Sequence, residues 1–459
     1  MGRKLFCFLG LVLVAGLIAG RADAGTLRAG AARVDITPLV KGDLPATGRF
    51  DHEKVYVRAI VFDNGTTRAA LLGADASDMY PAVVAEASKQ IAAVLDCPVE
   101  NIIMSATHSH SAGSPMGTQG NQSPYMTGLT NALVDAVKQA KAKLEPAVVG
   151  FGKGAAYLNV NRDAMSPETH TWTQAPNTSA YSDKTVYVLK VTKPNGEPIG
   201  VYVNYAMHPI DGYLLGFITA DFPGAMCRYV EQTFDDKAVV IFSQGASGDQ
   251  NPLYLRPSTN GLASMGGGTI TGLDLVREPV EEPVRDRKVP AKAIDPAVRE
   301  RLERFLDSEG QILGEEVIRT MTLTTKTSSD IKIWGAQKTI TCPGRKRVDQ
   351  GREGMTGTYA DDAPVEMKLS LVGLGDVAFG GVNAEVYSKI SARMRSESPL
   401  ANTVMVTLAN GRANSGYIPD DESYGHQTFQ VLGARNKVGC AESSIADGLA
   451  GMVGEFVKK

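Results

Sequence analysis

The sequence predicts an α/β fold, with mixed β-sheets flanked by helices. Three observations carry this. Apolar runs of strand length alternate with amphipathic stretches of helical period along most of the 459 residues. Turn signals, Asp63-Asn64-Gly65 and Pro194-Asn195-Gly196, each join two such apolar runs. Several strand-like runs end in polar residues flanked by Gly, Pro or Asn, which is where α/β proteins set their sites.

Residues Arg28 to Pro38 read as a short strand with a proline stop. Val55 to Phe62 and Arg68 to Gly73 form a hairpin around Asp63-Asn64-Gly65. Pro81 to Leu95 has helical periodicity, and a strand then leads to His108. Met126 to Leu144 is a second helix. Lys184 to Thr192 and Ile199 to Met207 pair as strands, the second running into His208-Pro209. Pro223 to Phe234 is helical, and Ala238 to Phe242 is a buried strand ending at Ser243-Gln244-Gly245. Residues 252–295 are rich in Gly, Pro and charge and read as an insertion loop that covers a site. Pro296 to Thr322 is a long amphipathic helix with alternating Arg and Glu. Beyond it, strands at Met367–Val372, Val377–Gly380 and Thr403–Leu408 alternate with helices at Glu385–Met394 and Ser444–Val457.

Composition narrows the classes of function. The 47 basic and 50 acidic residues nearly balance, and no basic tract suggests nucleic acid as a partner. Arg3 and Lys4, the apolar run Leu5 to Gly20 and the small residues of Ala22-Asp23-Ala24 read as an export signal cleaved after Ala24. The mature chain is then a secreted or periplasmic protein, residues 25–459 forming a single domain. Four of the five cysteines remain, Cys97, Cys227, Cys342 and Cys440, at spacings that fit no zinc finger. Export permits a disulfide, and buried free thiols are expected for at least two of them.

The chemistry concentrates in Ile103-Met104-Ser105-Ala106-Thr107-His108-Ser109-His110-Ser111-Ala112-Gly113. The chain has only six histidines, and two stand here at i and i+2. On an extended chain both imidazoles project to one side. The doublet offers two neutral nitrogen ligands, or one ligand and one proton-handling group, at the mouth of a sheet. Other strand ends add His208, Asp249 in Gly245-Ala246-Ser247-Gly248-Asp249-Gln250-Asn251, and Glu385 in Asn383-Ala384-Glu385. Two histidines, a carboxylate and an open position for water form the pattern of hydrolytic zinc sites. Each residue also has a plain structural reading. His208 fits a hydrogen-bonded core histidine, Glu385 a favourable charge at a helix N-terminus, and Asp249 a turn cap.

These segments resemble the catalytic domain of the neutral/alkaline, non-lysosomal ceramidases. GAARVDITP, ATHSHSAG, NYAMHPI, ADFPG, GASGDQNP and GYIPDDESYGHQTF occur in that family's order, over roughly residues 28 to 435. The resemblance implies Zn2+ held by His108, His208, Glu385 and Tyr417, with metal-activated water attacking an amide carbonyl. It implies His110 as proton shuttle or oxyanion stabiliser, Arg162 as a holder of the substrate's polar head, and Asp249 as a partner orienting a ligand histidine. The alternative for Arg162 is a structural ion pair. The family's C-terminal immunoglobulin-like domain is expected to be lacking. A small-molecule or lipid amide is the implied substrate, and peripheral contact with a membrane is compatible with it.

Two positions depart from the family. Asn251 stands where the family has a serine, and asparagine cannot form an acyl-enzyme. Phe429 replaces the last tyrosine of a Tyr-x-x-Gln-x-Tyr stretch, and His426 beside it has no counterpart and reads as a surface residue. Both departures fall on the substrate side. The leading expectation is therefore an exported zinc hydrolase of N-acyl amides. A zinc esterase or amidase acting on a small or cell-envelope substrate, and a non-catalytic binding protein on the same scaffold, are the alternatives.

Overall fold

The computed structural model describes residues 27–40, 54–114, 124–212, 218–254, 296–349 and 353–459. The expected export signal and nearly all of the expected insertion loop lie outside the described residues. No helix among the described residues is long and apolar enough to cross a membrane.

The first sheet has the order β4-β3-β2-β1-β5, from β1 (Arg28–Asp35), β2 (Tyr56–Asp63), β3 (Arg68–Ala74), β4 (Ile102–Ala106) and β5 (Glu145–Pro146). The expected hairpin is β2–β3, antiparallel, with Asn64 Oδ1 accepting the Thr66 and Thr67 N–H groups at 3.1 and 2.9 Å. Helices α1 (Pro81–Leu95) and α2 (Pro124–Ala142) lay apolar stripes on one face of this sheet, Val83, Val84, Ala87 and Ile91 among them.

A second sheet faces the first. Its order is β11-β10-β9-β6, from β6 (Val148–Ala155), β9 (Thr185–Thr192), β10 (Pro198–Tyr205) and β11 (Val239–Gln244). Ile60, Leu71 and Ile103 of one sheet share a core with Tyr202, Leu189 and Ile241 of the other. The sheets approach so closely at Gly73 that a Cβ there would lie 2.7 Å from Ile241 Cγ2. Helices α3 (Asp221–Thr233) and α4 (Pro296–Leu323) cover the outer face through Phe222, Val230, Leu313 and Val317. The layers run helix, sheet, sheet, helix.

The C-terminal part adds a third sheet, β13-β14-β15-β17, from β13 (Ile333–Arg347), β14 (Tyr359–Leu374), β15 (Val377–Val382) and β17 (Thr403–Val406). Its helices are α5 (Ser388–Glu397) and α7 (Ala441–Lys458), with the short α6 (Phe429–Gly433) before α7. A small sheet, β12-β7-β8, joins β7 (Asn159–Met165), β8 (Trp172–Asn177) and β12 (Gln250–Pro252). The two-residue strands β16 (Glu385–Val386) and β18 (Tyr417–Ile418) pair in parallel. Cys342 of β13 and Cys440, just before α7, form a disulfide with a Cα–Cα distance of 5.8 Å, while Cys97 and Cys227 are free.

The mixed α/β architecture agrees with the sequence. The expected helix at 385–394 is corrected, because it begins at Ser388 and leaves Glu385 in a strand. Strands β6, β7, β8 and β13 were not expected. In β6 and β13, Gly and charged residues interrupt the apolar pattern, and pairing to β9 and β14 supplies what local propensity lacks.

A buried acid pair ties the segment after His208 to α4. Asp211 and Glu309 face one another beside Asp221, and among the described residues no third residue donates to their four carboxylate oxygens. Burial, reinforced for Asp211 by the Glu309 charge, raises both acids above the carboxylate range, so the folded state holds a proton the unfolded chain would release. A raised folded-state pKa gives stability that is complete below the unfolded value and lost as pH rises through the folded one. The midpoint of thermal unfolding should therefore fall as pH rises from the ordinary carboxylate range into the alkaline range, and Glu309→Gln should flatten that slope. An unchanged slope in Glu309→Gln would contradict this reading.

Candidate metal centre

Three parallel strand pairs, β3 with β4, β10 with β11 and β15 with β17, direct their C-terminal ends to one place. His108 and His110 follow β4, His208 follows β10, and Glu385 follows β15. The β16–β18 bridge sets Glu385 directly opposite Tyr417. Gly248 N–H donates to the Val386 carbonyl at 2.8 Å, and a Cβ on Gly248 would lie 2.9 Å from the Val386 carbonyl carbon. That close approach seats the loop after β11 against the Glu385 strand.

The ligand-type atoms of His108, His110 and His208 all lie within 4.8 Å of one another. Glu385 Oε2 lies 3.1 Å from His108 Nε2 and 3.3 Å from His208 Nε2. His110 Nε2 lies 3.3 Å from His108 Nε2. The other ring nitrogens fix the tautomers. His108 Nδ1–H donates to the Ser77 carbonyl at 2.6 Å, and His208 Nδ1–H donates to the Ser247 carbonyl at 2.8 Å, with the Gln250 carbonyl at 3.2 Å. A carbonyl only accepts, so both protons sit on Nδ1 and both Nε2 lone pairs point at the Glu385 carboxylate. Acceptors facing an acceptor in a buried site call for a proton or a metal cation between them. Imidazole nitrogen with carboxylate oxygen suits a borderline divalent ion such as zinc, so these residues fit the metal that the sequence implies.

The charges agree with that demand. Burial opposes ionisation of Glu385, but His108 and His208 outweigh it and hold the carboxyl well below its usual range. Burial pushes His108 down, and the Glu385 carboxylate outweighs it and raises the imidazole. Burial, then the Arg162 charge, push His208 down to about 4. Burial and the two neighbouring imidazoles hold His110 well below the ordinary histidine value. His110 is half-buried while His108 and His208 are buried, so it stands on the open side of the group. Tyr417 is kept protonated by burial and by Glu385, and its ring centroid is 6.3 Å from that of His208.

Several expectations from sequence need correction. The two histidines converge, but not by strand alternation: β4 ends at Ala106, and His108 has φ 68°, so a turn brings the rings together. His110 lies within the convergent group, its Nε2 3.3 Å from that of His108, which is compatible with the role the resemblance implies. Asp249 orients no histidine, since backbone carbonyls hold both Nδ1 atoms. It instead accepts Ser388 N–H and Ser388 Oγ–H, each at 2.8 Å, and Asn161 Nδ2 at 2.9 Å, tying the loop to the start of α5. Burial outweighs these donors and pushes Asp249 up to about 7. Arg162 is buried, and its donors go to the Gly248 carbonyl at 2.6 and 3.1 Å, to Asn251 Oδ1 at 3.1 Å and to the Tyr417 hydroxyl, so it is turned to protein groups rather than held out to a substrate head. Its carbon Cζ sits 5.2 Å from the Tyr417 ring centroid. Asn251 is thus a partner of Arg162. His426 is not a free surface residue: it stacks on Trp172 at 3.6 Å and donates Nδ1–H to Asp163 Oδ2 at 3.0 Å. Phe429 is exposed and lies edge-on to Tyr417 at 5.9 Å.

Sequence reasoning missed Ser77, Asp78 and Ser388. Ser77 and Ser247 act through backbone carbonyls, which leave no mark in side-chain identity. Ala74-Asp75-Ala76-Ser77-Asp78 is another polar strand end, and it carried the one usable signal.

Fold and site together define an α/β protein of layered sheets with a histidine–carboxylate cluster at its strand ends that could hold a metal ion. The chain belongs to the neutral/alkaline non-lysosomal ceramidase family, whose N-terminal domain model matches residues 42–270. It is a ceramidase-like hydrolase by family. Its fold is similar to that of neutral ceramidase from Pseudomonas aeruginosa, with a TM-score of 0.68 and 14% identity over 95% of this chain and 75% of that one. It is also similar to a ceramidase complexed with C2, with a TM-score of 0.68 and 14% identity over 94% and 76%. At that identity the likeness is one of fold.

Protons and metal compete for the same Nε2 atoms. Because Glu385 raises His108, zinc retention should begin to fall on acidification above the ordinary histidine value of 6.5, and His208→Ala should lower zinc affinity at neutral pH by roughly a hundredfold or more. Zinc content after equilibrium dialysis across pH measures both. Undiminished zinc in His208→Ala would contradict the assignment.

Proposed function

We propose that this protein is an exported zinc-dependent hydrolase of N-acyl amide bonds. The observation that carries the reading is the convergence of His108 and His208 Nε2 on Glu385 Oε2, each with Nδ1–H spent on a backbone carbonyl. When bound there, zinc supplies Lewis acidity that polarises a carbonyl and makes water acidic near neutral pH. His108, His208, Glu385 and Tyr417 are the residues that would hold it.

The remaining groups handle the proton and the developing charge. His110, neutral because burial and its neighbours depress its pKa, is available to take a proton from the attacking water and return it to the leaving amine. Without a cation Tyr417 keeps its phenolic proton between Glu385 and Arg162, and its oxygen would be available as a ligand when zinc is bound. Arg162 positions Tyr417 and places a fixed positive charge behind it. Asn251 offers no nucleophile, which favours direct attack by water over an acyl-enzyme.

The choice of substrate rests on fewer observations. Family membership supports a lipid amide. Phe429 at the rim, without the hydroxyl of the family's tyrosine, favours a substrate other than ceramide as the second reading. The Cys342–Cys440 disulfide supports export, since such bonds persist in oxidising compartments.

A panel of ceramides, N-acyl amino acids and esters, assayed before and after chelation, tests this reading. Zinc-loaded protein should cleave amides. Chelation should abolish turnover, and His108→Ala should lower kcat/KM by roughly a thousandfold or more, the scale of an essential catalytic group. Hydrolysis that is unchanged after complete metal removal, or absence of turnover across the panel, would overturn it.

A further inference from the structure

A pocket of about 510 Å3 is lined by none of His108, His110, His208, Glu385 and Tyr417. One wall is a face of α1 beginning at Pro81, and the others come from β13, β14 and the turn at Asn410-Gly411-Arg412. Three cations line it, Lys89, Lys368 and Arg412, and no carboxylate does. Arg412 pairs with Asp78, whereas among the described residues the ammonium groups of Lys89 and Lys368 have no acidic partner. The nearest compensating charge thus leaves the pocket with an excess of two cations.

Part of the neutral lining has the same sense. Asn383 Oδ1 accepts Lys368 N–H at 2.8 Å, which fixes the carboxamide and turns its Nδ2 donors away from that strand, toward the open side of Gly411. Asn410 at φ 54° and Gly411 at φ 129° shape a turn in which, among the described residues, the Gly411 and Arg412 N–H groups are not engaged. Successive free N–H groups in such a turn form an anion-binding concavity. The start of α1 adds the positive end of a helix dipole to the same wall. Cations on three walls, an amide and free backbone donors match an acceptor-only ligand with several oxygens. Ordinary solvated lysines would account for Lys89 alone. They would not account for a lining that brings together three cations, a half-buried lysine among them, and an oriented carboxamide without any carboxylate.

We propose that this pocket binds an oxyanion of the phosphate type, either free or carried as the phosphate group of a larger molecule. Isothermal titration of the zinc-loaded full chain with inorganic phosphate and, separately, with glycerol 3-phosphate tests the proposal and distinguishes the two sources. Saturable binding of either probe at one site per chain is expected, weakened about tenfold or more in Lys89→Gln/Lys368→Gln. The double variant should keep the wild-type zinc content and thermal midpoint. Neither probe binding saturably, or binding that survives the double variant, would overturn the proposal. Binding lost in His108→Ala but kept in the double variant belongs to the metal centre and overturns it equally. None of these outcomes depends on which bond the enzyme cleaves.

Discussion

The structure turns on one electrostatic demand. Two imidazole lone pairs point at one carboxylate oxygen in a site nearly closed to water. A carboxylate and two bare acceptors held at hydrogen-bond distance repel unless a proton or a metal cation lies among them, and in a poorly screened interior that repulsion is several times larger than in water. The protein does not leave the demand to chance. Ser77 and Ser247 take the Nδ1 protons through their carbonyls, so neither ring can relieve the conflict by changing tautomer. The outer contacts of a metal centre are thereby built into the main chain, where substitution of a side chain cannot erase them.

The fold exists to bring these groups together from far apart in the chain. Glu385 is 277 residues from His108 and 177 from His208. Each stands just past a strand of a parallel pair, and the layered sheets fix the relative positions of those strand ends to within side-chain reach. Asp249 and Gly248 join the pieces: the carboxylate collects two Ser388 donors and Asn161, and the glycine lets the loop lie against Val386. The three donors offset only part of the burial cost of this carboxylate, but donors left orphaned by its loss would cost roughly 1–3 kcal/mol each. The same device appears away from the centre at Asn410, which accepts Met104 N–H at 2.9 Å and donates to the Ile102 carbonyl at 2.9 Å, fastening β4 to the third sheet.

Much of this was legible in the sequence. The hairpin around Asn64, helix α1 with its proline start, the pair β9–β10 and the histidines at strand ends all follow from period, turn chemistry and residue type. The resemblance brought Glu385 and Tyr417 to the histidines, and their pairing in a two-residue parallel bridge gives the geometric reason. Other features were not legible, for physical reasons. Backbone carbonyls carry no residue signature. The φ of 68° at His108 comes from the turn that follows β4 rather than from any glycine. Arg162 and Asp249 looked like groups that face a substrate or a ligand, because sequence shows the charge but not where its partners are. Strand β13 is glycine-containing and charge-interrupted, and only its long pairing with β14 makes it a strand.

The substrate side is where this chain departs from its family, with Asn251 held by Arg162, Phe429 at the rim and His426 stacked on Trp172. The histidine–carboxylate side keeps the donor groups that a bound cation would need. Diffraction from crystals of the zinc-loaded protein, collected on both sides of the zinc absorption edge, tests that claim most directly. The account predicts a single strong anomalous peak about 2.0–2.2 Å from His108 Nε2, His208 Nε2 and a Glu385 oxygen. No peak there, or a peak bound elsewhere while these three atoms keep their contacts to one another, would contradict it.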